Sequence, residues 1–132
     1  MIVSLCKSTI EEKLLEASSL ERKRLNILLH RSFESQAQKL LDILLPNTKF
    51  PIHMHSHTDE TLLLIQGKAI IVLYDEYENI CDEIILDKNN VFCYTIPANQ
   101  WHTLHVLEPC VLFEVKDGPY NPKNDQIKEI ND

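Results

Sequence analysis

The chain has 132 residues and a mass of 15.4 kDa, enough for one domain with a real core and too short for two comfortable ones. Its 44% hydrophobic and 25% charged residues are ordinary globular composition, and a formal charge of -7 leaves no basic field to hold a phosphate backbone, which argues against nucleic acid as a partner. Met1 to Lys7 carries no basic region ahead of an apolar run, and nothing later approaches membrane-spanning length, so a cytoplasmic location without a membrane partner is expected.

In chain order, Ser8-Thr9-Ile10-Glu11-Glu12 offers overlapping capping boxes, and Ile10, Leu14 and Ala17 fall at helical spacing. Together they predict one amphipathic helix over about residues 9–19. Leu25 to His30 reads as a strand. Ala37 to Leu45 is apolar enough for a helix or a strand, and is assigned to strand because the turn Pro46-Asn47-Thr48 follows it. From there short apolar runs alternate with turn residues, the pattern of an antiparallel sandwich or closed barrel. The runs are Lys49 to His55, Thr61 to Gln66, Ala69 to Tyr74, Ile80 to Leu86, Val91 to Ile96, Trp101 to Leu107 and Cys110 to Lys116. With only two glycines in the chain, Asn79, Asn89 or Asn90, and Asn99 are the expected positions of positive φ. The predicted organisation is an N-terminal helix with lead-in strands over 1–46, a barrel over 47–117 and a polar tail over 118–132, in which Tyr120 and the Gly118 to Pro122 turn pack back on the barrel.

Cys6, Cys81, Cys93 and Cys110 are scattered without a Cys-x-x-Cys pair, so they are expected to be free thiols, with Cys93 in the core. Histidine carries the chemistry. Three of the six sit in His53-Met54-His55-Ser56-His57, with Glu60 just beyond and Trp101-His102 far downstream. Imidazole with carboxylate is the donor set of Zn, Fe, Mn, Ni or Cu rather than of Ca or Mg. On a strand His53 and His55 share a face, and a bend over residues 56–59 lets Glu60 open the next strand with Leu62 and Leu64 on its own side. His102 then supplies the fourth ligand after the Pro97 to Gln100 loop. His57 falls outside this register, His105 faces away from His102, and His30 is uninformative without its neighbours.

These residues resemble the cupin superfamily. His53-x-His55, four residues, Glu60, six residues and Gly67 match the first cupin motif, and Pro97-x-Asn99-x-x-His102 matches the second, with Asn in the usual place of Gly. Thr48 replaces a customary glycine and Val106 a frequent asparagine. The resemblance implies an all-β double-stranded β-helix, or jelly-roll barrel, holding one divalent transition metal ion, and a homodimer built through the N-terminal helix and an open strand edge. Arg22-x-Arg24-x-Asn26, Pro51-x-His53-x-His55 and the ending Glu114-Val115-Lys116-Asp117-Gly118-Pro119-Tyr120-Asn121-Pro122 look more narrowly like the WbuC family of cupin-fold metalloproteins, associated with bacterial O-antigen and surface-polysaccharide gene clusters.

The implied function is a metal-dependent isomerase or epimerase acting on a sugar or sugar derivative; the alternative is a module that binds a small molecule through the metal without transforming it. A positioned acid or base separates the two, and the candidates are His57, Tyr74 and Lys116. Tyr94 is expected to be packing, and Arg22 and Arg24 to be solvated. Glu114 and Lys116 share a face of the last strand, either as an exposed charge pair on an edge or at the barrel mouth.

Overall fold

The computed structural model of the chain describes residues 2–128. It comprises helix α1 (Lys7–Ser19) and strands β1 (Arg24–Leu28), β2 (Ala37–Leu44), β3 (His53–His55), β4 (Glu60–Tyr74), β5 (Ile80–Leu86), β6 (Cys93–Ile96), β7 (Trp101–Asp117) and β8 (Asp125–Ile127).

Two long strands organise the rest. β4 and β7 pair antiparallel from Glu60 opposite Lys116 to Tyr74 opposite Trp101. The Lys116 half of this ribbon is flanked by β6 on one side and by β2 and β1 on the other. The Trp101 half is flanked by β5 on one side and by β3 and β8 on the other. Where the halves meet, the β4–β7 register shifts repeatedly between Leu64 and Ala69. Gly67 sits there with φ of +89°, and a Cβ on it would run into the Pro109 carbonyl. Only glycine tolerates both conditions, so the expected break between two strands is a bulge within each long strand instead.

The halves close on one core. Leu44, Leu62, Leu64, Ile96 and Leu112 from one layer meet Ala69, Ile71, Leu73, Leu86 and Val106 from the other. This is the expected jelly-roll architecture, and the hydrogen-bonded ladder among the described residues is an open path, not a closed ring. A second core lies outside it, where Ala17, Ile10 and Leu14 of α1 cover Ile27, Leu41, Ile43 and Val111. From Leu40 to Leu44 β2 is therefore buried on both faces, which is why this part is largely apolar without alternation.

Several expectations are corrected. α1 begins at Lys7 and its N-cap is Cys6, without a side-chain cap bond; the Ser8 and Thr9 hydroxyls turn to Cys6 Sγ at 3.1 and 3.2 Å instead of capping. The strand predicted from Lys49 starts only at His53, beyond Pro51. Positive φ occurs at Asn99 as expected, but otherwise among non-glycines at Lys23, Asn47 and Glu78; Asn79 escapes it because the Asp75 carboxylate accepts the Tyr77 and Asn79 N–H groups and closes the turn itself. Cys93 is exposed, since the alternation along β6 turns Tyr94 and Ile96 inward. The four cysteines are free thiols.

The tail does more than drape. Tyr120 N–H donates to the Phe33 carbonyl at 2.7 Å, and the two rings lie 5.2 Å apart. Tyr120 keeps 44% of its surface exposed, so the turn docks through backbone and ring edge rather than by full burial. Beyond it, β8 forms a strand absent from the sequence-based expectation and pairs with β3, setting His55 opposite Asp125.

Candidate metal centre

β3 projects His53 and His55 from one layer. β7 brings His102 directly opposite His53, and Glu60 opens β4 in the other layer. One ligand atom from each of the four lies within 4.8 Å of the others, and His55, Glu60 and His102 are buried. Glu60 Oε2 stands 3.1 Å from His55 Nε2 and 3.3 Å from His102 Nε2. Glu60 Oε2 and His102 Nε2 are nevertheless buried without a hydrogen-bond partner, the contacts being poorly aligned.

The outer nitrogens explain this arrangement. His53 Nδ1 lies 2.9 Å from the Pro51 carbonyl and His102 Nδ1 2.9 Å from the Gln100 carbonyl. His55 Nδ1 lies 2.6 Å from Asp125 Oδ1. These partners can only accept, so each ring donates through Nδ1 and turns its Nε2 lone pair to the centre. Three lone pairs and a carboxylate oxygen converge on one point, which a cation satisfies and a hydrogen bond does not. The residues present therefore fit a bound metal.

Burial and neighbouring charge act differently on His53, His55 and Glu60. Burial, with His102 alongside, pushes His53 down to about 4, so its imidazole is in the neutral, ligating form near pH 7. Burial opposes a charge on His55, but Glu60 and Asp125 outweigh it and hold its pKa above the ordinary value. Burial would raise Glu60, yet His102 and His55 hold it well below the usual carboxylate range.

The cluster opens into a cavity of about 400 Å³, walled by the inner face of β1, β2, β4 and β7. Lys116 lines it, the one member of the predicted acid–base set that does. Glu114 lies beside it at 3.4 Å, so this pair is at the barrel mouth and not on an exposed edge. His57 is exposed, its Nε2 3.1 Å from the Asp117 carbonyl, and Tyr74 is absent from the cavity wall. His105 is exposed on the outer face as expected, and Tyr94 packs on the core. Arg24 is not solvated: it donates to Thr48 Oγ1 at 3.1 Å and to the Lys49 carbonyl at 2.7 Å, and it covers the Phe50 ring at 4.4 Å. Arg22 is exposed at the cavity edge.

Asp42, Asp125, Gln38 and His30 were not singled out from sequence. Asp42 is buried on β2 beside Glu114, and burial raises its pKa to about 6. Glu114 is raised well above the usual range by burial and by Glu60 and Asp42. Lys116 is raised too: burial opposes its charge, and Glu114 and Glu60 outweigh burial. A signal for Asp42 exists in the sequence, an acid inside Leu40-Leu41-Asp42-Ile43-Leu44, since a lone carboxyl in a buried strand is rarely there for packing. No local signal marks Asp125.

The fold of this chain is of the cupin type. A cupin-2 domain containing protein from Shewanella frigidimarina is similar to it at 20% identity and a TM-score of 0.56, over 71% of this chain and 80% of that one. The capsular polysaccharide assembling protein CapF from Staphylococcus aureus is similar at 16% identity and a TM-score of 0.63, over 80% of this chain but only 32% of CapF. Streptomyces Pac13, a nucleoside dehydratase solved with uridine, is similar at 8% identity and a TM-score of 0.64, over 83% of this chain and 80% of Pac13. At these identities the likeness is one of fold. The chain belongs to the family described as Domain of unknown function (DUF6016), which matches residues 5–86. No curated protein matches it in sequence. No helix among the described residues is long and apolar enough to cross a membrane.

Proposed function

We propose that the chain is a metal-dependent cupin of the WbuC type, acting as an isomerase or epimerase on a sugar or sugar derivative in bacterial surface-polysaccharide (O-antigen) assembly. The observation that carries this reading is the convergence of four ligand atoms from two sheet layers at the floor of a small-molecule cavity. The similarity in fold to a capsular polysaccharide assembling protein is consistent with the sugar class.

His53, His55, Glu60 and His102 would hold one divalent transition ion, of Zn, Fe, Mn or Ni type. When bound, such an ion supplies Lewis-acid polarisation of a ligand oxygen. The chain's own residues do the rest. Asp125 orients His55, and the Pro51 and Gln100 carbonyls orient His53 and His102. Asp42 and Glu114 share a hydrogen bond, so one of the two keeps a proton, and Lys116 beside them offers a cationic donor; these are the groups placed to move a proton within the cavity. Leu40, Leu62 and Leu112 give the cavity apolar wall. The reading carries with it a cytoplasmic homodimer, with residues 47–117 as the metal-binding barrel, 1–46 as its lead-in and 118–132 as its tail.

The test is deuterium exchange. Metal-loaded protein is incubated in D2O with free and nucleotide-linked hexoses, and proton NMR follows exchange at carbons next to a carbonyl. Exchange that disappears in Glu60→Gln and falls at least tenfold in Lys116→Met supports the enzyme. Sugar binding without any exchange leaves the non-catalytic module as the function.

A further inference from the structure

We propose that the cavity contains, two to three strands away from the metal cluster, a subsite for a planar amide carbonyl, built on Gln38 and His30. The proposal rests on reading the cavity as a small-molecule site. It begins with a row across the sheet. Glu60 pairs with Lys116, and Lys116 pairs with Gln38. The β1–β2 register, Leu28 opposite Leu40, continues through the bond from Leu29 N–H to the Lys39 carbonyl and sets His30 against Gln38. At about 4.8 Å per strand, Gln38 stands roughly 10 Å from Glu60 along this row. A ligand that touches both ends is longer than a single sugar ring.

Both residues present an unused donor. Gln38 is 4% exposed, and its Nε2 has no partner. His30 Nδ1 accepts from Lys39 N–H at 3.1 Å. The Lys39 carbonyl, also near that nitrogen, already accepts from Leu29. With Nδ1 accepting, the ring proton sits on Nε2, and this atom too is buried without a partner. Both residues line the cavity. Buried donors left unpaired destabilise the fold, and a ligand oxygen that accepts from them removes that cost. The donors are uncharged, and the Phe33–Tyr120 pair forms the adjoining wall. An uncharged acceptor on a flat, partly apolar group fits such a wall, which selects an amide carbonyl over a carboxylate or phosphate. Acetamido sugars and pyrimidine nucleosides both carry that group beside a polyhydroxylated ring.

Calorimetric titration of the metal-loaded protein with matched probes tests this, using N-acetylglucosamine against glucose and uridine against ribose. At least one amide-bearing probe should bind tenfold or more tightly than its partner, and which one does so identifies the source of the carbonyl. In Gln38→Met, and in Gln38→Leu as a second variant, that preference should vanish while binding of the amide-free probe is unchanged. Without ligand both variants should unfold at the parent temperature or above it. Equal binding within both pairs, no binding of either amide probe, a preference that survives both substitutions, or a fall in unfolding temperature for both variants overturns the subsite. Metal content measured on the same samples keeps the two readings apart: full metal without amide preference removes the subsite alone, and amide preference without metal removes the metal-dependent reading alone.

Discussion

Asp125 Oδ1 lies 2.6 Å from His55 Nδ1, across the β3–β8 pairing. This carboxylate fixes the ring so that Nε2 faces the centre, and it makes that nitrogen more basic. Asp125→Ala should therefore weaken divalent-metal affinity about 10–100-fold with the fold intact, and Asp125→Asn should weaken it less, since its amide oxygen still accepts. Competition titration against a chromophoric chelator measures both. Parent-like affinity in the alanine variant would show that β8 holds the strand and not the ligand. Truncation after Lys116 removes β8 along with the Tyr120 turn and should lower both metal affinity and thermal stability.

The metal assignment predicts a pattern over six single alanine variants. His53, His55, Glu60 and His102 variants should lose most bound metal, while His57 and His105 variants keep it, because the latter two side chains lie on exposed surface. Elemental analysis of purified protein decides this. Full metal in both His53→Ala and His102→Ala would refute the site, and loss in His57→Ala alone would move it one register along the strand.

Saturating metal should also stabilise the fold, by about 2.7 kcal/mol at a hundred times Kd. Chelator-treated protein should unfold at a lower temperature and recover on adding the ion. Identical unfolding of the two forms would mean that the native state binds the ion no better than the unfolded chain does.

Asp42 gives stability a pH dependence of defined sign. Its pKa is raised by burial to about 6, with Glu114 bonded to it and with Glu60, Lys116 and Arg24 facing it. The native state thus holds a proton that the unfolded chain releases near pH 4. Stability from this group is present below about pH 4 and is lost as pH rises through 6. Asp42→Asn keeps the shape without the charge, so it should gain about 1–3 kcal/mol over the parent at pH 7.5 and much less at pH 4.5. Urea unfolding at the two pH values measures the difference. An equal effect at both would show that Asp42 is ionised throughout.

Gly67 is the hinge between the layers, at φ of +89° and against the Pro109 carbonyl. Gly67→Ala should destabilise by about 2 kcal/mol or more, because the strained backbone and the collision add. Thermal unfolding reads this out, and an unchanged midpoint would mean that the bulge relaxes at no cost.

What the amino-acid order determined by itself is local. Spacing within a few residues put His53 and His55 on one strand face and Glu60 on the next strand, and the motif around Pro97 and Asn99 delivered His102, because strand alternation and turn chemistry act over short separations. The helix face at Ile10, Leu14 and Ala17 was legible for the same reason. The tertiary structure alone decided the partners. Asp125 reaches His55 across 70 residues of chain, and β8 forms because β3 offers it an open edge, which no pattern in a polar tail announces. Tyr74 and His57 carried plausible chemistry in the sequence and are absent from the cavity wall, while Gln38 and His30 carried no signal of their own and line it beside Asp42. On β2 from Leu40 to Leu44, buried on both faces, alternation disappears, and which of these side chains look into the cavity is set only when α1 covers one side and β4 with β7 fold over the other.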